Sequence, residues 1–286
     1  MKVVIAGASG MLGHKLLQRL QRDHQVWGTL RSANSLAEAI PGVDDVRLIP
    51  GVSTRDLTAV SAVLDRIAPD VVVNCIGVVK QIAAAKDPVT SISVNSLFPH
   101  QLARLCGERD VRLVHMSTDC VFSGRKGPYT QDDIPDPIDL YGRSKLLGEV
   151  DAEGCITLRT SIIGRELSRG SGLVEWFLSQ SGGRVRGFRY ALYSGLTTIA
   201  MADVIRLVIE EYPTMSGVWQ VSADQITKYD LLNLINRVYG LGVRVEADEE
   251  FFCDRRLDST PFRGKTDYSP PSWEEMIEQM HADPLR

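Results

Sequence analysis

Val3-Val4-Ile5-Ala6-Gly7-Ala8-Ser9-Gly10-Met11-Leu12-Gly13 decides how this chain folds. A short β-rich run breaks at a glycine, and a helical period starts at Met11 and runs to Leu20. Gly7, Gly10 and Gly13 form G-x-x-G-x-x-G. Such a pattern is weak by itself. Between a first strand and an amphipathic helix it means a backbone that can turn tightly and approach a pyrophosphate at a helix N-terminus. The bland alternative is a glycine-rich βα turn that binds nothing. Ser9, Met11 and Leu12 sit inside the turn, so with the three glycines they are candidate cofactor contacts.

Outward from that turn, strands and helices alternate. Residues 26–30 and 46–49 are expected strands, and 57–67 a helix. Residues 71–76 are an apolar run ending at Gly77, the profile of a strand covered on both faces. A helix over 92–106, a strand over 111–116, a helix over 141–150 and a strand over 155–158 follow. This spacing predicts a Rossmann-type α/β fold, a doubly wound parallel sheet. Past about residue 160 the alternation loosens. Residues 173–178 read as helix, 184–189 as a short basic stretch, 199–211 as helix and 218–221 as a strand returning to the main sheet. Thr227 with Asp230 three residues on marks a helix start. That helix runs to about Tyr239 and stops at Gly240. Residues 254–273 read as loops before a last helix over 273–280. The expected division is a dinucleotide-binding domain over 1–160, with 191–224 returning to it, and a smaller discontinuous α/β substrate lobe from 161–190 and 225–286.

The 286 residues suffice for such a core, and 44% hydrophobic with 24% charged residues is an ordinary globular balance. A net charge of -4 argues against a general nucleic-acid partner. Cys75, Cys106, Cys120, Cys155 and Cys253 are scattered, odd in number and without metal-ligand spacing, so a reducing, cytosolic setting and no metal are expected. The N-terminal apolar run breaks into glycines too early for a signal peptide. No apolar stretch approaches the ~20 residues that span a bilayer, so no membrane partner is expected.

Three further stretches carry chemistry. At the end of the second strand a carboxylate would hold a ribose 2′-hydroxyl. Here stand Arg31 and Ser32, which suit a 2′-phosphate, so NADP(H) is expected with NAD(H) as the alternative. Cys75, Ile76 and Gly77 end the fourth strand, on the cofactor side. Ser117-Thr118-Asp119 ends the strand over 111–116, where open parallel sheets bind ligands. Ser117 is a candidate cofactor contact. Thr118 can hold a substrate oxygen, and Asp119 and Cys120 continue into the pocket. Tyr141 and Lys145 are four apart and share a helix face. An ammonium beside a phenol lowers its pKa, and such a phenol can pass a proton to an alkoxide near neutral pH. Asn95 could anchor a water that relays protons to Lys145. Together these residues read as hydride transfer coupled to proton transfer at a carbonyl.

The glycine turn, the run Ser117-Thr118-Asp119-Cys120-Val121-Phe122-Ser123-Gly124, Tyr141-Gly142-Arg143-Ser144-Lys145 with Gly148-Glu149, and Leu158-Arg159-Thr160-Ser161 resemble the extended short-chain dehydrogenase/reductases. Within them the likeness is to dTDP-4-dehydrorhamnose reductases and related nucleotide-sugar 4-ketoreductases, strong over residues 1–165. The resemblance implies Tyr141 as proton donor, Lys145 on the nicotinamide ribose, and Thr118 on the carbonyl. It implies reduction of the 4-keto group of a nucleotide-linked 6-deoxy sugar. Dehydratases of the superfamily carry Asp-Glu after the catalytic Thr; here Cys120 follows Asp119, which disfavours elimination. GDP-fucose synthases place a Cys at the offset of Cys120 but need a His downstream, and no histidine lies between His115 and His281.

A nucleotide-sugar diphosphate needs local cations in an acidic chain. Lys80, Arg159, Arg184, Arg186, Arg189, Arg255, Arg256 and Arg263 are the candidates, with Arg255 first because Asp254–Ser259 resembles the family's C-terminal Arg/Leu-Asp segment. Thr160 and Trp176 complete the candidate substrate contacts, Trp176 either on a nucleobase or in the lobe core. Two rival readings stand: an NAD-keeping nucleotide-sugar 4-epimerase, and a non-catalytic cofactor-binding regulatory subunit. A homodimer is the default expectation for assembly.

Overall fold

Residues Val3–Ala6 are buried on both sides of β1 (Lys2–Ala6), as a run without polar alternation requires. The computed structural model describes residues 1–32, 43, 47–80, 86–167 and 172–283. With β2 (Gln25–Thr29), β3 (Leu48–Ile49), β4 (Val71–Asn74), β5 (Arg112–Met116), β6 (Cys155–Arg159) and β10 (Gly217–Gln220), β1 forms a seven-stranded sheet in the order β10-β6-β5-β4-β1-β2-β3. Every pair in it is parallel. Strand alternation splits the core into two layers. Val3, Ile5, Val71 and Val73 join one apolar cluster with α1 (Gly13–Leu20), α7 (Thr198–Glu211) and α10 (Trp273–Ala282). Val4, Val72 and Leu113 join the other with α2 (Leu57–Ile67) and α4 (Phe98–Gly107). The strand order reverses between β1 and β4, which opens a crevice at their carboxyl ends.

The expected Rossmann-type sheet is present, and 217–220 returns to its edge as foreseen. Val46, the first residue of the expected third strand, lies outside the described residues, as do 168–171 and 284–286 of the expected substrate lobe. That lobe is built on a second sheet, β11 (Ile226–Thr227)-β8 (Arg184–Tyr193)-β12 (Arg244–Asp254), with α8 (Lys228–Tyr239) crossing between the parallel strands β8 and β12. β8 carries through to Tyr193, past the expected boundary at 190. β12 was not foreseen: Glu246, Asp248 and Glu249 interrupt any apolar pattern that would mark a strand. Their partners are across the sheet: Arg184 to Glu246 at 3.2 Å, Arg186 to Asp248 at 3.0 Å and Arg189 to Glu249 at 3.6 Å. The segment expected as loops contains α9 (Thr260–Thr266). A short parallel pair, β7 (Ile162–Ile163) with β9 (Leu196–Thr197), joins the two sheets' connections. Among the described residues no helix is long and apolar enough to cross a membrane.

Candidate active site

The glycine turn closes on itself. Gly7 takes φ +84°, a region that favours glycine, and Gly10 N–H donates to Gly7 O at 3.0 Å. A Cβ on Gly13 would lie 2.2 Å from Gly7 O, so α1 can begin on the turn only with glycine there. Gly10, Met11 and Leu12 form one wall of a cleft of about 450 Å³. Cys75, Ile76 and Gly77 beyond β4, Ser117, Thr118, Asp119 and Cys120 beyond β5, and Thr160 beyond β6 continue it. Gly7, Ser9 and Gly13 shape the turn and stand off the wall. Arg31 and Ser32 are exposed just past β2, also off the wall. The missing Cβ atoms and the exposed cation past β2 fit a dinucleotide carrying a 2′-phosphate.

Tyr141 and Lys145 lie on α5 (Leu140–Leu146), whose N-cap Asp139 accepts from Gly142 N–H at 2.8 Å. The helix approaches its neighbours closely: a Cβ on Gly148, just beyond it, would meet Asn95 O at 1.8 Å. Tyr141 and Thr118 line the same cleft, and the Thr118 hydroxyl is near enough to act on the phenol. Thr118 Oγ1 donates to Asp119 Oδ1 at 3.2 Å and accepts from Cys120 N–H at 3.2 Å. Lys145 Nζ donates to Met116 O at 2.5 Å.

The depressed phenol pKa expected from the Tyr141–Lys145 spacing is not what the structure holds. Burial pushes Tyr141 above its ordinary value, the negative fields of Cys120, Asp119 and Asp139 add to that, and only the nearby Thr118 hydroxyl opposes it. Burial lowers Lys145 to about 8, with Glu149 acting in the other direction. The ammonium is directed at Met116 O, which is why the spacing on the helix does not by itself depress the phenol.

Asn95 falls in a π-helical segment, Ile92–Leu97, between α3 (Pro88–Ser91) and α4, so the single helix expected over 92–106 is broken there. Such bulges cluster at functional sites. Its oxygen accepts from Val78 N–H at 2.8 Å, and its amide donates to Val78 O at 3.0 Å and Ser144 Oγ at 3.1 Å. The Asn95 side chain thus acts as a clamp, which ties the loop after β4 to α5. Ser117 Oγ donates to Glu149 at 2.6 Å, and Arg159 meets the same carboxylate at 2.8 and 2.7 Å. Arg159 is thus committed to a buried ion pair and unavailable for a diphosphate.

The other expected cations divide sharply. Lys80 lines the cleft and pairs with Asp139 at 2.7 Å. Arg255 is off the cleft wall and holds the loop after β5, donating to Phe122 O at 2.9 Å and Ser123 O at 3.3 Å. Arg184, Arg186 and Arg189 serve the β8–β12 pairing, Arg256 pairs with Asp254 at 2.7 Å, and Arg263 donates to Ser222 O at 3.0 Å. None of these five is on the cleft wall. Trp176, on α6 (Leu173–Leu178), is 40% exposed and off the wall, so it neither fills the lobe core nor faces a base in the cleft. Asp119 and Cys120 are on the wall; burial raises both, Cys120 to about 12. Sequence reasoning missed Lys228 and Tyr193, which line the cleft. Lys228 follows a recognisable helix cap, but only the register of β11 on β8 turns that helix start toward the cleft. Among the described residues no group of three His, Cys, Asp or Glu could hold a metal ion.

The family described as RmlD substrate binding domain matches residues 1–283. A probable low-salt glycan biosynthesis reductase, Agl14, of Haloferax volcanii is 32% identical over 52% of this chain and 48% of its own. A dTDP-4-keto-6-deoxy-D-glucose reductase of Streptomyces niveus is 34% identical over 51% of this chain and 45% of its own. The chain thus spans about half the length of these curated relatives. The methionine adenosyltransferase 2 subunit beta of Xenopus laevis is 24% identical over 80% of this chain and 70% of its own. Among solved structures, a hypothetical dTDP-4-dehydrorhamnose reductase from Sulfolobus tokodaii superposes with TM-score 0.77 at 25% identity, covering 96% of this chain and 98% of that one. The dTDP-4-dehydrorhamnose reductase of Bacillus anthracis, solved in complex with NADP, gives 0.79 at 21% identity, covering 98% of both.

Proposed function

Because the chain belongs to the RmlD substrate binding domain family, we propose that it reduces the 4-keto group of a nucleotide-linked 6-deoxy sugar at the expense of NADPH. One observation carries the reading. Thr118, just beyond the carboxyl end of β5, and Tyr141, one helical turn from Lys145 on α5, line a single cleft with the glycine turn. NADPH supplies the hydride when bound, held by the turn over 7–13, by Cys75, Ile76 and Gly77 and by Lys145, with Arg31 and Ser32 toward the 2′-phosphate. Thr118 orients the ketone oxygen. Tyr141 gives its proton to that oxygen, and burial keeps the phenol protonated until it is needed. Lys145 steadies the phenolate as it forms. NADH is the alternative reductant.

The test follows absorbance loss of NADPH and of NADH with dTDP-, UDP- and GDP-4-keto-6-deoxyhexoses. Oxidation of NADPH with at least one of them is expected. Cofactor binding without turnover on any would sink the reading and favour a regulatory subunit, a second reading that the Xenopus likeness supports. Residues 1–160 with 191–224 are read as the cofactor half and 161–190 with 225–286 as the substrate lobe. A cytosolic setting agrees with the free thiols of the five cysteines. Homodimer assembly is supported by exposed Val89, Ile92 and Leu97 on the α3 and π-helical stretch and by exposed Leu147 at the end of α5.

A further inference from the structure

The substrate side of the cleft presents an ammonium to which no expectation pointed. β11 pairs antiparallel with β8, Ile226 opposite Tyr193 and Thr227 opposite Leu192. Thr227 then caps α8, accepting from Asp230 N–H at 2.9 Å. The register and the cap together set Lys228, the first residue of the helix, over Tyr193, with its Nζ 3.6 Å from the ring centroid. A cation–π contact fixes the position of an ammonium without neutralising its charge, and leaves its N–H bonds to other acceptors. Among the described residues Lys228 makes no ion pair. Asp119, whose field reaches it, stands beyond ion-pair distance and is engaged by the Thr118 hydroxyl. Tyr193, 5% exposed, lines the same cleft, and its hydroxyl, beside Ser161, makes no hydrogen bond of normal geometry. A half-buried cation and an unpartnered buried hydroxyl on one wall call for the same thing, an anionic oxygen group.

We propose that Lys228, seated on Tyr193, binds the sugar-proximal phosphate of a nucleoside diphosphate sugar and so selects diphosphate-linked substrates. The proposal rests on the reductase reading for the identity of the ligand, though not for the existence of the anion site. Its place in the cleft supports the sugar-proximal phosphate. Lys228 lines the same cleft as Thr118 and the two residues immediately after it, Asp119 and Cys120. The alternative cations are committed elsewhere: Lys80 to Asp139 and Arg159 to Glu149.

The test is calorimetric titration of the full chain, saturated with NADP+, with UDP, dTDP and GDP, with the matching monophosphates and with inorganic pyrophosphate. The best diphosphate should bind at least about tenfold tighter than its monophosphate, the worth of one charge-assisted hydrogen bond. Lys228→Met should bring that ratio below about three, and Lys228→Arg should keep most of it, at unchanged melting temperature. A ratio unaltered in Lys228→Met, or absent from the parent, overturns the assignment. An unaltered ratio in a chain that still reduces a keto sugar removes Lys228 and leaves the reductase reading intact. A ratio that depends on Lys228 in a chain that reduces none keeps the anion site and removes the reductase reading. Should Lys228→Met fail to fold, Lys228→Gln against Lys228→Arg gives the same comparison.

Discussion

Tyr141 is surrounded by groups that oppose its ionisation: a buried site first, then Cys120, Asp119 and Asp139. On the proposed reading it enters the reaction as a proton donor, the form a ketone reduction needs. General acid help of this kind is worth about 10²–10⁴ in rate. Tyr141→Phe should therefore lower kcat at least about a hundredfold while the dissociation constant for NADPH, read by fluorescence, stays within about twofold. Turnover that survives the change would remove Tyr141 from the chemistry. Lys145 gives a second, pH-dependent expectation. Its pKa falls from 10.5 to about 8 on burial, so the ammonium is lost as pH rises through about 8, and kcat should fall above that point. The stability linkage has the opposite sign. A buried ammonium costs stability below about 8, and between about 8 and 10.5 the unfolded chain holds the proton more tightly, so this group's contribution improves as pH rises. Lys145→Met should thus lose nearly all turnover yet melt no lower than the parent at pH 7. A drop of several degrees would make Lys145 a structural residue. The pairing of Tyr141 with Lys145 was legible from a spacing of four. The sign of the phenol's shift was not, because it depends first on how deeply the fold buries the ring.

At the scale of elements, the site depends on how closely α5 can approach the π-helical segment. The sequence shows that α5 exists, and it shows Gly148, but not that Gly148 faces the backbone of Asn95. A Cβ there would lie 1.8 Å from Asn95 O and 2.9 Å from its carbonyl carbon, both backbone atoms that cannot swing aside. Gly148→Ala should destabilise by about 1–3 kcal/mol, the usual cost of overpacking. It should also lower kcat more than Tm alone explains, since α5 carries both Tyr141 and Lys145. Gly264→Ala is the matched control. Gly264 lies in α9 with open space around it, so helix propensity gives a gain of about 0.5–1 kcal/mol and no change in turnover. Equal effects of the two substitutions, in denaturant melts and in kcat, would mean that close approach at Gly148 is irrelevant. The break at 92–97 escaped sequence reading for a related reason. Its periodicity is that of a helix, and the extra residue in the turn shows only in hydrogen bonds that seat Asn95 on Val78.

Across the whole molecule, the main sheet and most helices were legible and the second sheet was not, and the physics of pairing explains the difference. Strands of the main sheet are covered on both faces and announce themselves as apolar runs, so β1, β4 and β5 could be placed from residue types. β12 is held by charges that match those of β8 about 60 residues earlier, and no local window contains both. The C-terminal segment is also no independent body. Met276, Ile277 and Met280 of α10 and Leu231 and Ile235 of α8 belong to the same apolar cluster as Val3, Ile5 and Ile205. Trp273 Nε1 donates to Asp224 O at 2.7 Å, and Asp283 pairs with buried Lys15 on α1. Removing residues 225–286 would uncover five large apolar side chains' worth of partners, about 1.5–3 kcal/mol each, a sum on the order of the entire stability of a domain. A fragment of residues 1–224 should therefore lack a cooperative thermal transition, and the full chain should melt in one calorimetric step. A fragment that melts cooperatively within a few degrees of the parent, and still binds NADPH, would show that the cofactor half folds without the lobe. The cleft would then be an interface between two bodies able to move apart, and Lys228 and Tyr141 would meet the substrate only on closure.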